Sequence, residues 1–447
     1  MRVCPLNYDV IVNILDNLEP HTPASLLSCA LTCHEFLQPS LNLLWRSQDS
    51  LGPLIMYTMP KDTWCIKDDY WIHFQKDLYP SDLERLLVYA ARIRHLEHNQ
   101  RRCTFEHHPH WSTLLALMNV CSGSSLLPNL TILDCSLISR LESIDMFIPF
   151  LSTLITPRIR RLSLDLPLVD CGDTFLDLML RECLYCEELV LSSIHPITLT
   201  RSPSHIPHLR IFNVEGAVSM TQSAVRCLAS KQGLEDVTLN VSSRDETDAS
   251  PLFDFRDNST FSSLSHITLH TETLPVSISI MQAISSSCVK SITINIRDYI
   301  SPSLLLECLE TLCSSTSFLS EVHSLTIHRR EPREISDSPI TLVHLTPIFS
   351  LRHLRSFTLK NLGIIELDDA SMTSVGQAWP LMEHLVLISA PCPAPPPSQI
   401  SFNGVISLIN WCPNLQGLSI GYDMIMAGKT PRKTHRPKLP GVAAVKS

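Results

Sequence analysis

The chain has 447 residues, of which 44% are hydrophobic and 18% are charged, and its formal net charge is −9. This apolar content can bury a long core, no apolar run approaches the ~18 residues of a membrane-spanning helix, and the negative charge argues against general affinity for nucleic acids. Because the start of the chain lacks the pattern of a secretion signal, we expect its 16 cysteines to be reduced, mostly buried thiols in a cytoplasmic or nuclear protein.

The first fifty residues favour three short helices. The first helix is predicted from apolar residues at spacings of one, three and four: Val10, Ile11, Ile14, Leu15 and Leu18. Thr22 and Pro23 supply an N-cap and a first-turn proline for a second helix, and a third apolar run extends from Phe36 to Trp45. Because three helices of this size bury little apolar surface by themselves, we expect this unit to need a partner.

Residues 6–46 resemble an F-box. That family opens with Leu-Pro-x-Glu and an aliphatic run and closes near Leu-Trp-Arg; this sequence has Leu6 and Asp9 at the start and Leu44-Trp45-Arg46 at the end, with Asn7 in place of the proline. The resemblance implies three helices that bind the Skp-type adaptor of a cullin-RING ubiquitin ligase. The expected adaptor contacts are Leu6, Val10, Ile14, Leu15, Leu18 and Trp45. The alternative is that about half of these side chains form the core of the three helices.

Residues 48–92 are predicted to form a packed helical connector. Their aromatic residues would also suit a platform for stacking nucleic-acid bases, but acidic residues outnumber basic ones in this segment. The sequence Ser81-Asp82-Leu83-Glu84 is a capping box, which predicts a helix that begins at Asp82.

From residue 93 onward, one short phrase recurs at twelve places, at intervals of 23 to 37 residues. It consists of an apolar residue, two variable residues, an apolar residue, one variable residue and usually another apolar residue. It opens at Ile93, Leu130, Ile159, Cys186, Leu209, Leu234, Leu264, Val289, Val322, Leu354, Met382 and Leu415. Its alternation predicts a short strand, and a recurring unit of this length is typical of stacked repeats.

Amphipathic helices are predicted between these strands, for example Asp173 to Cys183 and Met220 to Ser230. Strand and helix in alternation predict an α/β fold with a parallel sheet covered by helices on one side. Residues 93–423 resemble an irregular leucine-rich-repeat solenoid, which implies strands on the inner face and helices outside. An F-box followed by such repeats resembles the receptor subunits of cullin-RING ligases, whose repeats capture the protein to be ubiquitinated.

If the apolar positions of the phrase point into the core, its fifth position points outward. Five consecutive repeats have threonine there: Thr238, Thr268, Thr293, Thr326 and Thr358. Threonine suits an exposed strand position, and the alternative is a hydroxyl-bearing surface that binds the target. His266, His270 and His328 stand in neighbouring outward columns and would extend that surface.

The sequence gives no pattern for catalysis or for a cofactor: it has no phosphate-binding glycine loop, His-Glu-x-x-His or Gly-x-Ser-x-Gly. Cys183 and Cys186 form a Cys-x-x-Cys pair, but Cys186 opens a repeat, which favours a core role over metal binding. A denser group, Cys103, His107, His108 and His110, matches no common zinc spacing and favours a polar loop. We therefore expect neither an enzyme nor a metalloprotein.

Two segments interrupt the repeats and are predicted to be loops: Ser242 to Ser263, which is polar, and Pro391 to Pro397, which is rich in proline. Residues 424–447 are basic and are predicted to be a disordered tail. The leading hypothesis is a substrate receptor of a ubiquitin ligase with protein partners and no nucleic-acid or membrane partner. The alternative is a non-catalytic repeat scaffold whose F-box is degenerate at Asn7.

Overall fold

The computed structural model divides the chain into two compact units. It describes residues 8–17, 23–68, 70–98, 107–121, 125–135, 144–166, 182–241, 261–314, 321–330, 338–390 and 398–420, together with positions 173 and 177. The first unit comprises residues 1–197, 205–209 and 215–218, and the second comprises 198–204, 210–214 and 219–447.

In the first unit the described helices are α1 Tyr8–Asp16, α2 Pro23–Ala30, α3 His34–Arg46, α4 Gly52–Thr58, α5 Pro80–Ala90, α6 Trp111–Val120 and α7 Ile144–Leu154. The strands are β1 Ser47–Gln48, β2 Trp64–Lys67, β3 Trp71–Phe74, β4 His95–His98, β5 His108–Pro109, β6 Ile132–Cys135, β7 Arg161–Asp165 and β8 Glu188–Leu199.

Helices α1, α2 and α3 share a small apolar core. Ile11, Leu15 and Leu26 are buried at its centre. The partly buried side chains of Cys29, Phe36, Leu43 and Leu44 surround them. Because α1 has only nine residues, packing against α3 rather than helix propensity accounts for its stability.

Residues 48–92 were predicted to form a helical connector, but they also contain strands. Strands β2 and β3 form an antiparallel pair in which Ile66 lies opposite Ile72, and β5 pairs in parallel with β3. The turn between β2 and β3 contains Asp68 in the left-handed region, at φ 50°. Alternating residues such as Trp64, Ile66, Ile72 and Phe74 favour strands. The capping box from which a helix was predicted lies beyond them, at Ser81 to Glu84.

Helix α5 begins before the predicted residue Asp82, because Pro80 occupies its first turn and Tyr79 is its N-cap. Asp82 is the third residue of the helix, and its carboxylate accepts a hydrogen bond from the backbone N–H of Tyr79 at 3.0 Å. Proline is favourable in the first turn since it lacks an N–H that the helix could not satisfy there. The capping residue is therefore Tyr79 and not Ser81.

The main sheet of the first unit is a parallel ladder in the order β1, β4, β6, β7 and β8. Its register aligns one buried leucine from each of four strands: Leu96, Leu133, Leu162 and Leu189. Strand β1 is an addition that the repeat phrase did not predict. It pairs with β4 through Ser47 and His95, directly after α3.

In the second unit the strands are β9 Ile211–Met220, β10 Asp236–Val241, β11 His266–Thr271, β12 Ser291–Ile296, β13 Ser324–Arg329, β14 Ser356–Lys360, β15 His384–Ile388 and β16 Gly417–Ile420. The described helices are α8 Gln222–Ala229, α9 Leu274–Gln282, α10 Pro302–Ser314, α11 Leu342–Leu345, α12 Asp369–Ala378 and α13 Phe402–Trp411. No described helix in either unit combines the length and the apolar character needed to cross a membrane.

The strands β9 to β16 pair in parallel, each with the next along the chain. The fourth position of the phrase forms one row across them: Phe212, Val237, Ile267, Ile292, Leu325, Phe357, Leu385 and Leu418. Every strand that the phrase predicted is present in the two units, and each begins two residues after the opening apolar residue. The predicted ladder of parallel strands is confirmed.

Helices pack on the buried face of this second ladder. Phe357 of β14 contacts the indole of Trp379, which follows α12, with 5.2 Å between ring centroids. Helix α8 confirms the helix predicted over Met220 to Ser230, although it begins at Gln222 because Met220 is the last residue of β9. The helix predicted over Asp173 to Cys183 lies mostly outside the described residues, as do 242–260, 391–397 and the tail.

Candidate interaction surfaces

Helix α1 divides its aliphatic side chains between the core and the surface. Leu15 is 0% exposed, whereas Val10 and Ile14 are each 45% exposed. Val10 and Ile14 are four residues apart and therefore lie one turn above the other on the same side of the helix. Leu6 and Leu18, the other expected contacts on this helix, lie outside the described residues.

A second pair of exposed leucines follows on α2. Leu27 is 49% exposed and Leu31, in the turn after the helix, is 77% exposed, while the neighbouring Leu26 is buried. The backbone N–H of Leu31 donates to the carbonyl of Leu27 at 3.1 Å, which places the two residues one turn apart. The sequence analysis did not include these leucines among the expected adaptor contacts. We call Val10, Ile14, Leu27 and Leu31 the exposed aliphatic set.

Trp45 has a partner inside the chain. Its side chain is buried, and its ring centroid lies 5.1 Å from that of Tyr89 on α5. The Arg92 guanidinium, which follows α5, donates to Gln38 on α3 at 2.7 Å and also to Asn42. These contacts hold α3 against α5, so Trp45 and Leu15 serve the interior of this unit and are not available as surface contacts.

The five threonines of the second unit form one continuous column. Thr238, Thr268, Thr293, Thr326 and Thr358 are paired strand by strand in the parallel register. Each is half-buried and alternates with a buried aliphatic residue. None of their hydroxyl groups has a side-chain hydrogen bond within the described parts of the chain, so this column presents hydroxyls to solvent or to a ligand.

Two of the three histidines predicted to extend this surface, His266 and His270, differ in environment. His266 is exposed at the amino end of β11, and its Nδ1 lies 2.9 Å from the hydroxyl of Ser265. His270 is half-buried at the carboxyl end, where its Nδ1 lies 2.6 Å from a guanidinium nitrogen of Arg330. Burial, with a smaller effect of Arg330, lowers the pKa of His270 to about 4. His270 is therefore neutral at physiological pH.

The carboxyl ends of β11 to β14 also collect cations that the sequence analysis missed. Lys360 is paired in register with His328, and Arg330 follows two residues after His328. Burial, and then Lys360 and Arg330, lower the pKa of His328. The outward positions beyond the fifth position of the phrase contain these cations, so the sequence could have located them. The contact of Arg330 with His270, 60 residues away in sequence, follows only from the register of the strands.

The candidate metal ligands behave as core or packing residues. Cys183 and Cys186 are buried, and desolvation raises the pKa of both thiols, that of Cys186 to about 12. His110 stacks on His73 with 4.2 Å between ring centroids. Cys103 lies outside the described residues, and within them no group of three or more His, Cys, Asp or Glu side chains is arranged to hold a metal ion.

Comparisons with known proteins add little. No protein-family model and no curated protein matches this sequence. Among solved structures the chain is similar to an internalin from Listeria monocytogenes, at 15% identity over 67% of this chain and 82% of the internalin chain, with a TM-score of 0.34. That similarity is too distant to support an inference, so the assignment of repeats depends on the twelve phrases and the register of their strands.

Proposed function

We propose that this protein is the substrate-recognition subunit of a cullin-RING ubiquitin ligase of the SCF type. In this proposal the leading helices are an F-box that binds the Skp-type adaptor, and the parallel ladder binds the target protein. The protein itself is not an enzyme, needs no cofactor, and acts in the cytoplasm or the nucleus.

One observation carries the proposal: the leading helices keep the exposed aliphatic set at the surface while their core is already filled. An aliphatic side chain that moves from water into an apolar contact gains about 1.5–3 kcal/mol. Two short helices that each present a pair of aliphatic residues one turn apart suit binding in the groove of a helical partner. The resemblance of residues 6–46 to an F-box names that partner as the adaptor.

The structure of α1 also shows which residues test the proposal. Val10→Asp together with Ile14→Asp places two charges on the exposed face and leaves the buried Ile11 and Leu15 unchanged. Because each charge would have to be desolvated in the complex, we expect co-purification with a Skp-type adaptor to be lost. Asn13→Asp is the matched control, since Asn13 is exposed on the same helix, and it should bind as well as the unaltered protein.

Far-UV circular dichroism separates loss of binding from loss of folding. The Val10 and Ile14 variant should have the same helical signal as the Asn13 control, because all three positions are exposed. If the variant keeps both its helical signal and its adaptor, the proposal is wrong. Leu27→Asp with Leu31→Asp extends the test to α2, where we expect a second, independent loss of adaptor.

The second candidate function is a repeat scaffold whose F-box no longer binds the adaptor, and Asn7 favours it. Proline in the family pattern fixes the backbone ahead of the first helix, and asparagine leaves it free. Asn7→Pro distinguishes the two functions. A large gain in adaptor binding would favour the scaffold, whereas little change would mean that the native sequence is already competent.

A further inference from the structure

The cations along the second ladder are distributed unequally between its two ends. At the amino ends of the strands, two arginines have acidic partners: Arg210 pairs with Glu235 through two bonds of 2.9 and 2.7 Å, and Arg355 pairs with Glu383 at 3.0 Å. At the carboxyl ends, Arg330 and Lys360 have no carboxylate partner among the residues that the structure describes. These two side chains adjoin the histidines His270 and His328 instead.

We call Arg297, Arg330 and Lys360, with His270 and His328, the carboxyl-end basic cluster. Strand register brings them together: His270, Asn295, His328 and Lys360 occupy one outward row across β11, β12, β13 and β14. Arg297 and Arg330 follow β12 and β13, each two residues beyond this row. Glu272 offsets part of the charge, since it lies 3.9 Å from Arg297.

The side chain of Arg330 spans two strand spacings of this row. It starts on the chain after β13 and reaches His270 on β11 at 2.6 Å, so it crosses over β12. Because His270 Nδ1 accepts this bond, the imidazole is neutral and carries its proton on Nε2. The histidine thus fixes the direction of the guanidinium without neutralising its charge.

His328 is fixed from the other side. The amide of Asn361, which has φ 62° at the end of β14, lies 3.3 Å from His328 Nε2 and 3.4 Å from the backbone carbonyl of Arg329. Asparagine is among the residues that tolerate this left-handed conformation. Lys360 stands next to His328 in the same row. The row therefore combines fixed neutral donors with cations that repel one another.

Burial and neighbouring positive charges lower the pKa of two members of the cluster. Burial, and then the charge of Arg297, lower the pKa of Arg330. Burial, and then Lys360 and Arg330, lower that of His328. Burial is the larger cause of both pKa shifts, and the neighbouring cations add to it because like charges disfavour the charged form. An anion placed over the row would relieve this repulsion and accept hydrogen bonds that are already oriented.

We propose that the carboxyl-end basic cluster binds an acidic segment of the target protein, in which either carboxylates or phosphate groups are the recognised anions. This inference deepens the proposed function, since it names the chemistry by which the ladder would recognise its target. Guanidinium groups suit both anions because their parallel N–H bonds match the paired oxygens of each. The polar threonine column lies beside the row and would contact the backbone or polar side chains of the same segment.

The test uses the full-length protein and fluorescent peptides in the absence of any adaptor. The first peptide alternates glycine and glutamate. The second is the same peptide with phosphoserine in place of its central glutamates, and the third is the same peptide with glutamine in place of every glutamate. We expect the first or the second to bind and the third not to bind, and the tighter of the two identifies the recognised anion. Binding should weaken with salt, because the cluster is at least partly exposed to solvent.

Arg330→Gln with Lys360→Gln should weaken the binding of the anionic peptide at least about tenfold, since both cations that would donate charge-assisted hydrogen bonds to it are lost. Arg355→Gln is the matched control: it removes one cation at the opposite end of β14, where Glu383 already pairs with it. Lys360→Arg should retain binding. Circular dichroism checks that the variants remain folded, as expected for changes outside the buried core.

Three outcomes would overturn the inference. The first is that the anionic peptides bind no better than the glutamine peptide. The second is that the Arg355 control loses as much affinity as the double variant. The third is that a single-stranded oligonucleotide binds more tightly than either anionic peptide. Because the adaptor is absent from this experiment, each of these results leaves the F-box proposal standing. If the folded Val10 and Ile14 variant kept its adaptor, the F-box proposal would be wrong, and that result would in turn leave the anion site standing.

Discussion

The leading helices and the second ladder divide apolar and polar residues in opposite ways. The ladder buries its aliphatic residues in rows and presents threonine, histidine and asparagine outward, whereas the leading helices fill a small core and still expose Val10, Ile14, Leu27 and Leu31. Repetition explains the difference, because each strand of the ladder is covered by the next repeat. Among the described residues, no repeat covers the exposed sides of α1 and α2. The surface of the leading helices is suited to an apolar partner, and the outward face of the ladder to a polar one.

Trp379 provides the strongest test of how the ladder is held together. It is 0% exposed, its Nε1 donates to the carbonyl of Ile348 at 3.2 Å, and its ring packs edge-on against Phe349 at 5.3 Å. Trp379→Ala would leave a large cavity, and the carbonyl of Ile348 would keep only its bond from the backbone N–H of Leu351. We expect the free energy of unfolding to fall by about 3–5 kcal/mol, measured by urea denaturation.

Trp379→Phe is the matched variant, since it keeps an aromatic ring but removes the N–H donor. Trp379→Phe should lower the free energy of unfolding by less than Trp379→Ala does, and by more than a substitution at an exposed position. A loss below about 1 kcal/mol for Trp379→Ala would mean that the stability of the second unit does not depend on the contacts of this indole ring, including its contact with Phe357 of β14.

Leu15 and Ile14 make the corresponding test within the leading helices. They are adjacent in sequence, but Leu15 is 0% exposed and Ile14 is 45% exposed. Leu15→Ala should lower the stability of α1, α2 and α3 by about 2–5 kcal/mol, whereas Ile14→Ala should change it by less than about 0.5 kcal/mol. Hydrogen exchange of the amides in residues 8–46 measures the two effects. Equal effects would show that α1 has no preferred buried face.

These two residues also show where prediction from sequence reaches its limit. The twelve phrases located every strand of the repeats because alternation over six residues has one simple explanation, a strand with one buried face. A helical stripe is less specific. Leu15 and Ile14 belong to the same stripe, and only the position of α3 decides which of them is covered.

Two further features depended on contacts that no local pattern contains. The hairpin of β2 and β3 lies in a segment that was predicted to be a helical connector, and its pairing of Ile66 with Ile72 follows from alternation over only four residues in each strand. The carboxyl-end basic cluster joins Arg330 to His270 across two strand spacings. Such a contact requires the register of three strands, which the phrase intervals do not give.

The N-cap of α12 makes stability depend on pH. The hydroxyl and the backbone N–H of Ser371 both donate to Asp368, at 2.6 and 2.8 Å, and these bonds hold the pKa of Asp368 below its usual value of 3.8. A lowered pKa means that the stabilisation is present above pH 3.8 and is lost as the pH falls through the lower pKa of the folded state. Asp368→Ala should cost about 0.5–2 kcal/mol at neutral pH.

Asp368→Asn separates capping from titration, because asparagine accepts the same bonds but carries no charge. It should retain most of the stability at neutral pH and lose the acid-dependent part. Thermal unfolding of the three proteins between neutral pH and pH 3 measures this, and an unchanged acid dependence in Asp368→Asn would assign it to other carboxylates.

The smallest expected effect concerns the threonine column, where a pair of adjacent substitutions compares the two faces of β13. Thr326→Val keeps a branched side chain on the outward face and removes only a hydroxyl that is not bonded to another described side chain. Ile327→Thr introduces a hydroxyl at a position that is 0% exposed. We expect a change within about 0.5 kcal/mol for the first and a loss of about 1–3 kcal/mol for the second, since a buried hydroxyl without a partner must be desolvated. Urea denaturation of both variants decides the matter, and a large loss for Thr326→Val would mean that the outward hydroxyls stabilise the ladder rather than remain available to a target.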